Sequence, residues 1–333
     1  MVIKVLISGA GGDVGQGVLK ALAASKLDID LYATCISAHS SWLHAVGINS
    51  FIAPPSADSG YVDYLIRLIR RFGIQVYFPT VDSEIVKISR ERARIEAETG
   101  VLVFVDDPER VAICDDKYET AEYLRRKGFA YPATVVASEP YALEFVSRLG
   151  YPVIVKRRRD KGSQHVYQAH DATQLAMHLG DTDFVVQEFL DPAAGEFTSG
   201  LYLGDDGQIK GVCTFRRQLK GGSTFIAERI IAPVLEAPLE DMARALGMKY
   251  LNVQSMLRGN ELVPFEFNGR LSGSTAMVAK LFNAPEMFIR ERLLGEKLIR
   301  VEDPTRFVAM RYYEEVYTEP ERIDALITRS AEI

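Results

Sequence analysis

Residues 251–270 read LNVQSMLRGNELVPFEFNGR, and the pattern of this stretch decides the fold. Apolar and polar residues alternate on both sides of Arg258-Gly259-Asn260-Glu261, the signature of a tight hairpin. Alternation of period two puts Glu266, Asn268 and Arg270 on one strand face, with Phe265 and Phe267 on the other. Folding back at Gly259-Asn260 brings Gln254 opposite Glu266, within a residue of register. The hairpin then carries a row of oxygen donors, Gln254, Glu266 and Asn268, with the Arg270 cation beside them. Hard oxygen donors with a single carboxylate suit Mg²⁺ (or Mn²⁺) whose remaining ligands are phosphate oxygens. An amphipathic hairpin with a solvated polar face shows the same alternation, so the rest of the chain decides between the two.

Upstream, residues 2–8 form an apolar strand that runs into a glycine turn and a helical pattern over 15–24. Strand patterns follow at 31–36, 76–79 and 101–105, and helical ones at 61–72 and 83–99. Such alternation predicts a doubly wound parallel sheet, here placed in residues 1–110. A mixed block follows: helices at 115–127 and 141–149, a strand at 153–156, and a Lys/Arg/Gly loop. Further strands at 165–168 and 184–187 flank a helix near 172–179. From Glu188 the pattern is mainly strands and hairpins, with helices at 239–246 and 285–294, a strand at 307–317 and a helix at 320–328.

The 333 residues suffice for two or three domains with proper cores, and 47% hydrophobic with 25% charged residues is ordinary for a soluble globular protein. A net charge of -6 argues against a general nucleic-acid binder. The positive charge is clustered, in Lys156-Arg157-Arg158-Arg159 with Lys161 and in Arg216-Arg217 with Lys220, which suits a focused anionic ligand. Cys35, Cys114 and Cys213 are distant from one another and form no CxxC, so neither a disulfide framework nor a zinc site is expected. The expectation is a cytoplasmic protein without signal peptide or membrane span. A homodimer is left open.

Gly9-Ala-Gly-Gly-Asp-Val-Gly15 resembles the dinucleotide turn of extended Rossmann reductases and epimerases, which makes an NAD(P)-dependent oxidoreductase one reading. The second strand, however, ends Cys35-Ile36-Ser37-Ala38, with no carboxylate for a ribose hydroxyl.

Five features in chain order resemble the ATP-grasp ligases. Cys114-Asp-Asp-Lys117 resembles the family entry, whose lysine reaches the nucleotide phosphates. Tyr151-Pro-Val-Ile-Val-Lys156 resembles the strand whose lysine contacts the adenine edge and α-phosphate, and Lys161-Gly162-Ser163 the flap over the phosphates. Arg157 stands where proline is usual, and His165 where glycine is common. Phe184-Val-Val-Gln-Glu-Phe-Leu190 resembles the adenine hinge. By that match Gln187 offers a side chain, Glu188 and Leu190 backbone contacts, and Glu196 a carboxylate for the ribose. Phe215-Arg-Arg-Gln-Leu-Lys-Gly-Gly-Ser-Thr224 resembles the loop facing the second substrate, with Arg216 or Arg217 holding a carboxylate and Gly222 and Ser223 offering donors. The Asn-Val-Gln start and Glu-x-Asn-x-Arg finish of 251–270 look most like the carbamoyl-phosphate synthetase large-subunit branch, although Gly269 replaces a common proline.

The resemblance runs from the first strand to about Gly295. It implies a Rossmann-like N-terminal domain (1–110), a small ATP-grasp subdomain with the flap (111–186) and a C-terminal subdomain with the metal site (187–333). It further implies a ligase using ATP and Mg²⁺ (or Mn²⁺) to convert a small carboxylate to an acyl phosphate, which an amine or other nucleophile then attacks. Lys156 and Arg270 would act in catalysis, sharing the phosphate charge with Lys117. A narrower alternative is carbamoyl-phosphate-type use of bicarbonate.

Overall fold

The computed structural model describes residues 2–160 and 165–333. Lys161, Gly162 and Ser163, expected in the flap, lie outside the described residues. Among the described residues the strands form three sheets.

The first sheet holds β1 (Ile3–Ile7), β2 (Ile29–Cys35), β3 (Ile48–Ile52), β4 (Val76–Phe78) and β5 (Leu102–Val103). Their order is β3-β2-β1-β4-β5 and all pairings are parallel. Helices α1 (Asp13–Ala23), α2 (Tyr61–Phe72) and α3 (Asp82–Thr99) connect them. β1 is apolar along most of its length because a parallel sheet buries both faces. Strand order reverses between β1 and β4, so the crevice lies beyond their carboxyl ends, where the Gly9 turn and residues 80–82 emerge.

A single helix was expected from Asp115. The chain instead forms α4 (Pro108–Asp115) and α5 (Lys117–Lys127). Asp116 is extended between them and caps α5, its carboxylate accepting from the Tyr118 N–H at 3.0 Å.

The second sheet, order β6-β9-β7-β8, contains β6 (Thr134–Val136), β7 (Val153–Arg157), β8 (Val166–Ala169) and β9 (Phe184–Glu188). It packs on α6 (Ala142–Leu149) and has a core of its own, centred on Val146, Val153, Val155, Leu175 and Val186. The third sheet has the order β14-β13-β10-β11-β12-β15. Its strands are β10 (Glu196–Leu203), β11 (Ile209–Lys220), β12 (Ser223–Ile230), β13 (Tyr250–Arg258), β14 (Glu261–Asn268) and β15 (Val308–Met310).

Gln254 pairs with Glu266, inside the one-residue margin expected, and Asn252 pairs with Asn268. Gly259 takes the left-handed conformation, φ +63°, at the turn. One expectation fails. The register slips between Gln254 and Ser255, which pairs with Pro264, so Phe265 is the extra residue of a β-bulge. The bulge breaks the alternation and turns Phe265 toward the cleft that Glu266 also lines, while Phe267 stays in the core. Pro264 is tolerated because β14 is an edge strand.

The strand expected over 307–317 shrinks to Val308–Met310; the Arg311 N–H still donates to the Phe225 carbonyl at 2.9 Å, while its side chain reaches the Gly273 carbonyl. The helix expected over 285–294 is a short α-helix, Ala284–Phe288, followed by a π-helical turn, Ile289–Leu293. Phe288 meets Phe104 of the N-terminal unit edge-on at 4.8 Å, and Phe78 at 5.9 Å. The first and third sheets therefore share a core, whereas the second keeps its own.

Candidate functional site

A cavity of about 410 Å³ lies between the second and third sheets. Lys117 and Lys156 both line it. Lys117 opens α5, where the Asp116 cap fixes its backbone, and its Nζ donates to the Asp160 carbonyl at 2.6 Å. Lys156 is the fourth residue of β7, and its Nζ donates to the Phe265 carbonyl at 3.3 Å while lying 5.3 Å from the Phe265 ring centre. Burial pushes the Lys156 ammonium down to about 7, and the neighbouring Lys117 charge adds to the effect against the opposing pull of Glu266. A buried cation in this condition gains when phosphate oxygens arrive.

Arg158 and Arg159, part of the basic run, do not line this cavity. Both pair with Asp116, Arg158 Nη2 at 2.8 Å and Arg159 Nη2 at 3.0 Å. They follow β7 just ahead of Asp160, whose carboxylate meets His165.

The far end of the cavity is apolar, with Ile154, Phe189, Leu190, Pro192 and Met256 in its wall. Gln187 is buried there and donates to Thr134 Oγ1 at 2.8 Å. Glu188 spends its N–H on the Ala133 carbonyl and its carboxylate on the Ala133 N–H and Arg258. Only its carbonyl would serve a ligand.

A second cavity, about 380 Å³, adjoins the first on the side of the N-terminal sheet. Arg217, Gly222, Gln254 and Glu266 line both. Beyond them the second chamber is walled by the Gly9–Gly15 turn, residues 80–82, Asn252, Asn268, Arg270 and residues 272–274. The strand phase left open for Arg216 and Arg217 is settled by the pairing of Glu196 with Arg217. Arg217 is buried, with Nε 3.1 Å from Glu196 Oε1 and Nη2 2.8 Å from Gln254 Oε1. Arg216 faces solvent against Gly195. Ser223 lies on the second chamber and donates to Asp13 at 2.9 Å.

These contacts also test the metal donors. The Gln254 oxygen faces the Arg217 guanidinium, which competes with any cation there. Glu266 and Asn268 stand side by side, Asn268 Nδ2 3.4 Å from Glu266 Oε1, and are the better-suited pair. Among the described residues no group of three His, Cys, Asp or Glu side chains gathers as a metal cage.

The glycines of the N-terminal turn are explained by packing. A Cβ on Gly15 would collide with the Gly9 carbonyl, and one on Gly9 would meet Val81 and Thr80. The turn faces the second chamber.

A lysine-walled cleft between two antiparallel sheets, set behind a parallel sheet, is the architecture of an ATP-binding ligase fold. Residues 114–274, just under half of the chain, match the family described as the ATP-grasp domain. The carbamoyl phosphate synthase large chain of Rubrobacter xylanophilus is 26% identical over 234 residues, 64% of this chain and 22% of that protein. The chain thus spans less than a quarter of the length of that relative. Among solved structures, N5-carboxyaminoimidazole synthetase from Staphylococcus aureus superposes with TM-score 0.72 at 16% identity, covering 92% of this chain and 82% of that one. Biotin carboxylase from Campylobacter jejuni, complexed with β-γ-ATP, gives TM-score 0.66 at 14% identity, covering 86% and 70%. These two show the shared fold.

Sequence reading missed much of the second chamber. Asn252 was within reach of it, since it lies two residues before Gln254 on the same strand face and pairs with Asn268. Thr198 pairs with Gln254 across β10, a non-local contact without a local signal. Asp13 and Asp82 follow turns whose destination only the tertiary fold reveals.

Proposed function

We propose that the chain is an ADP-forming ligase that converts a small carboxylate to an acyl phosphate with ATP and passes the acyl group to an amine or other nucleophile. The observation that carries this reading is the wall shared by the two chambers: Arg217, Gly222, Gln254 and Glu266 face both. ATP lies in the first chamber with adenine in its apolar end and ribose near Glu196. Its phosphates run past Lys117 and Lys156 to that wall. The carboxylate comes to the wall from the second chamber, near Arg217.

The chain's part is placement and charge neutralisation, which phosphoryl transfer chiefly requires. Lys117 and Lys156 hold phosphate oxygens, and Arg270 keeps a positive charge at the second chamber. Mg²⁺ (or Mn²⁺), held by Glu266 and Asn268 with phosphate oxygens, would supply further charge neutralisation. Attack of the carboxylate on the γ-phosphorus yields ADP and an acyl phosphate. The nucleophile then displaces inorganic phosphate.

Bicarbonate is a narrower form of the same reading. The Hydrogenobacter thermophilus 2-oxoglutarate carboxylase domain, of similar fold at TM-score 0.67, is described in complex with MgADP and bicarbonate. We also propose the division at residues 1–110, 111–186 and 187–333, a cytoplasmic location and a homodimer. No described helix is long and apolar enough to cross a membrane.

ADP release with MgATP over a panel of amino acids, small carboxylates and bicarbonate tests the reading. One or more should raise the rate well above the background without acceptor. A protein that binds MgATP but releases ADP at the same rate with every member would overturn it.

A further inference from the structure

The second chamber has a charge pattern that selects its occupant. Its charged lining groups are Asp13, Asp82, Glu266, Arg217 and Arg270. Both cations are already engaged. Arg217 is held by Glu196 and Gln254, and Arg270 by Asp82 and the Leu271 carbonyl.

Two helices of the N-terminal unit, α1 and α3, open onto this chamber. A helix N-terminus ordinarily attracts phosphate. Here each brings its own carboxylate in the first turn, Asp13 on α1 and Asp82 on α3. Asp82 is committed to Arg270. Asp13 differs. It accepts from Ser223 Oγ at 2.9 Å, and its one ion-pair contact among the described residues is long, 3.8 Å to Arg311 Nη1. Arg311 Nη2 is turned away to the Gly273 carbonyl. Space for the Asp13 carboxylate is built in, because a Cβ on Gly273 would collide with it.

We propose that Asp13 sets the charge selectivity of the acceptor: the chamber takes an amine that carries no phosphate, with the amine nitrogen donating to the Asp13 carboxylate. This rests on the ligase reading above. A phosphorylated acceptor would bring its dianion against Asp13, Asp82 and Glu266 with both lining arginines already paired. In the transfer step the nitrogen forms its bond to the acyl carbon, and the bond from that carbon to the phosphate oxygen breaks. The electron pair leaves with inorganic phosphate, and the surplus proton on nitrogen passes to water. Asp13 holds and aims the nitrogen.

The test compares serine and ethanolamine with O-phosphoserine and O-phosphoethanolamine, matched pairs that differ in the phosphate. ADP release is followed with MgATP and the most effective carboxylate of the panel. The unphosphorylated amines should show KM values at least about tenfold lower than their phosphorylated forms. Asp13→Asn, checked for an unchanged melting temperature, should raise the amine KM about tenfold or more, with a smaller change in kcat and MgATP affinity within about twofold. Ser223→Ala, which frees the Asp13 carboxylate to swing, should raise KM less and in the same sense. Equal use of the phosphorylated acceptors, an unchanged KM in Asp13→Asn, or no acceleration by either amine would overturn the proposal. Calorimetry showing that the wild-type protein does not bind MgATP would overturn the ligase reading instead.

Discussion

Arg270 meets Asp82 through two parallel hydrogen bonds, Nε to Oδ1 at 2.6 Å and Nη2 to Oδ2 at 3.0 Å. Arg270 follows the Glu266–Asn268 pair on the last strand of the hairpin, and Asp82 begins α3 of the N-terminal unit. One ion pair therefore ties the proposed metal end of the site to the parallel sheet. Burial works against the guanidinium charge, and the carboxylates of Asp82 first, then Asp13 and Glu266, together outweigh it, holding the group above its ordinary range. The second tie, Ser223 to Asp13, closes the same chamber from the other side. The second chamber is thus assembled from both units, whereas the first belongs to the second and third sheets.

Asp82→Asn should separate the two chambers functionally. It leaves Arg270 buried with a weakened partner. Asp82 is itself part-exposed, so the stability loss should be on the order of 2 kcal/mol, below that of a fully buried pair. Acceptor-dependent ADP release should fall at least about tenfold while MgATP affinity stays within about twofold. Calorimetry and steady-state rates on the same preparation check both. An equal loss of MgATP affinity would show that Asp82 supports the first chamber too.

The hairpin was legible because its information is local. A two-residue turn and period-two alternation bring Gln254 within one residue of Glu266 without any knowledge of the rest of the chain, and the bulge at Phe265 completes the pairing. Lys117 and Lys156 were singled out through the family resemblance of their motifs, at a helix start and near a strand end, and both line the first cavity. The Phe265 bulge was not. A bulge inserts a residue without altering composition, and here its trace is Pro264 alone. The break at Asp116 was hidden because the helical pattern was read as starting at Asp115, and the short α4 before it was not read as a helix. What decides it is the Asp116 side chain, claimed by the Tyr118 N–H, Arg158 and Arg159. The chamber residues Thr198, Asp13 and Asp82 were beyond reach, because sheet order and domain docking bring them together.

Lys156 should report nucleotide binding as a proton uptake. With its pKa lowered to about 7, the free protein holds Lys156 mostly neutral at pH 8. Phosphate oxygens favour the ammonium and raise its pKa, so binding draws a proton from the buffer. Calorimetry at pH 8 in buffers of different ionisation enthalpy should give an uptake approaching about one proton per MgATP, shrinking toward pH 6, where Lys156 is already charged. Lys156→Arg, charged throughout, should abolish the uptake, and Lys156→Ala should weaken MgATP binding strongly. Uptake that persists in Lys156→Arg would place the titrating group elsewhere.

Glu84 should prove a structural support of the turn region. It is fully buried and accepts from Ser8 Oγ at 2.6 Å, from the Tyr61 and Tyr77 hydroxyls, and from the Thr80 and Val81 N–H groups at 3.3 Å. Burial, with the Glu84 charge adding to it, drives both tyrosine hydroxyls well above their usual range, so they remain donors at any ordinary pH. Glu84→Ala strands these donors and should cost about 3 kcal/mol, read as a lower denaturant midpoint at unchanged slope. A loss under about 1 kcal/mol would mean that water replaces the carboxylate without strain.

Glu266→Gln should abolish turnover without unfolding the chain, and the reason lies in how little charge the metal end holds. Glu266 is the one carboxylate among the donors Gln254, Glu266 and Asn268, and the Gln254 oxygen already faces Arg217. One negative charge beside a guanidinium is too little to strip water from a strongly hydrated divalent ion, so the phosphates must bring the rest. Mg²⁺ alone should therefore bind the wild-type protein weakly, with millimolar or poorer affinity in calorimetry, and tightly only as MgATP. Mn²⁺ offers a direct view, since its electron paramagnetic resonance signal broadens on binding. The broadening should require ATP in the wild-type protein and be much reduced in Glu266→Gln. Micromolar binding of free Mn²⁺ by the nucleotide-free protein, lost in Glu266→Gln, would reveal a preformed cage and refute the charge argument. Near-normal ADP release by a well-folded Glu266→Gln protein would remove Glu266 from the metal site altogether.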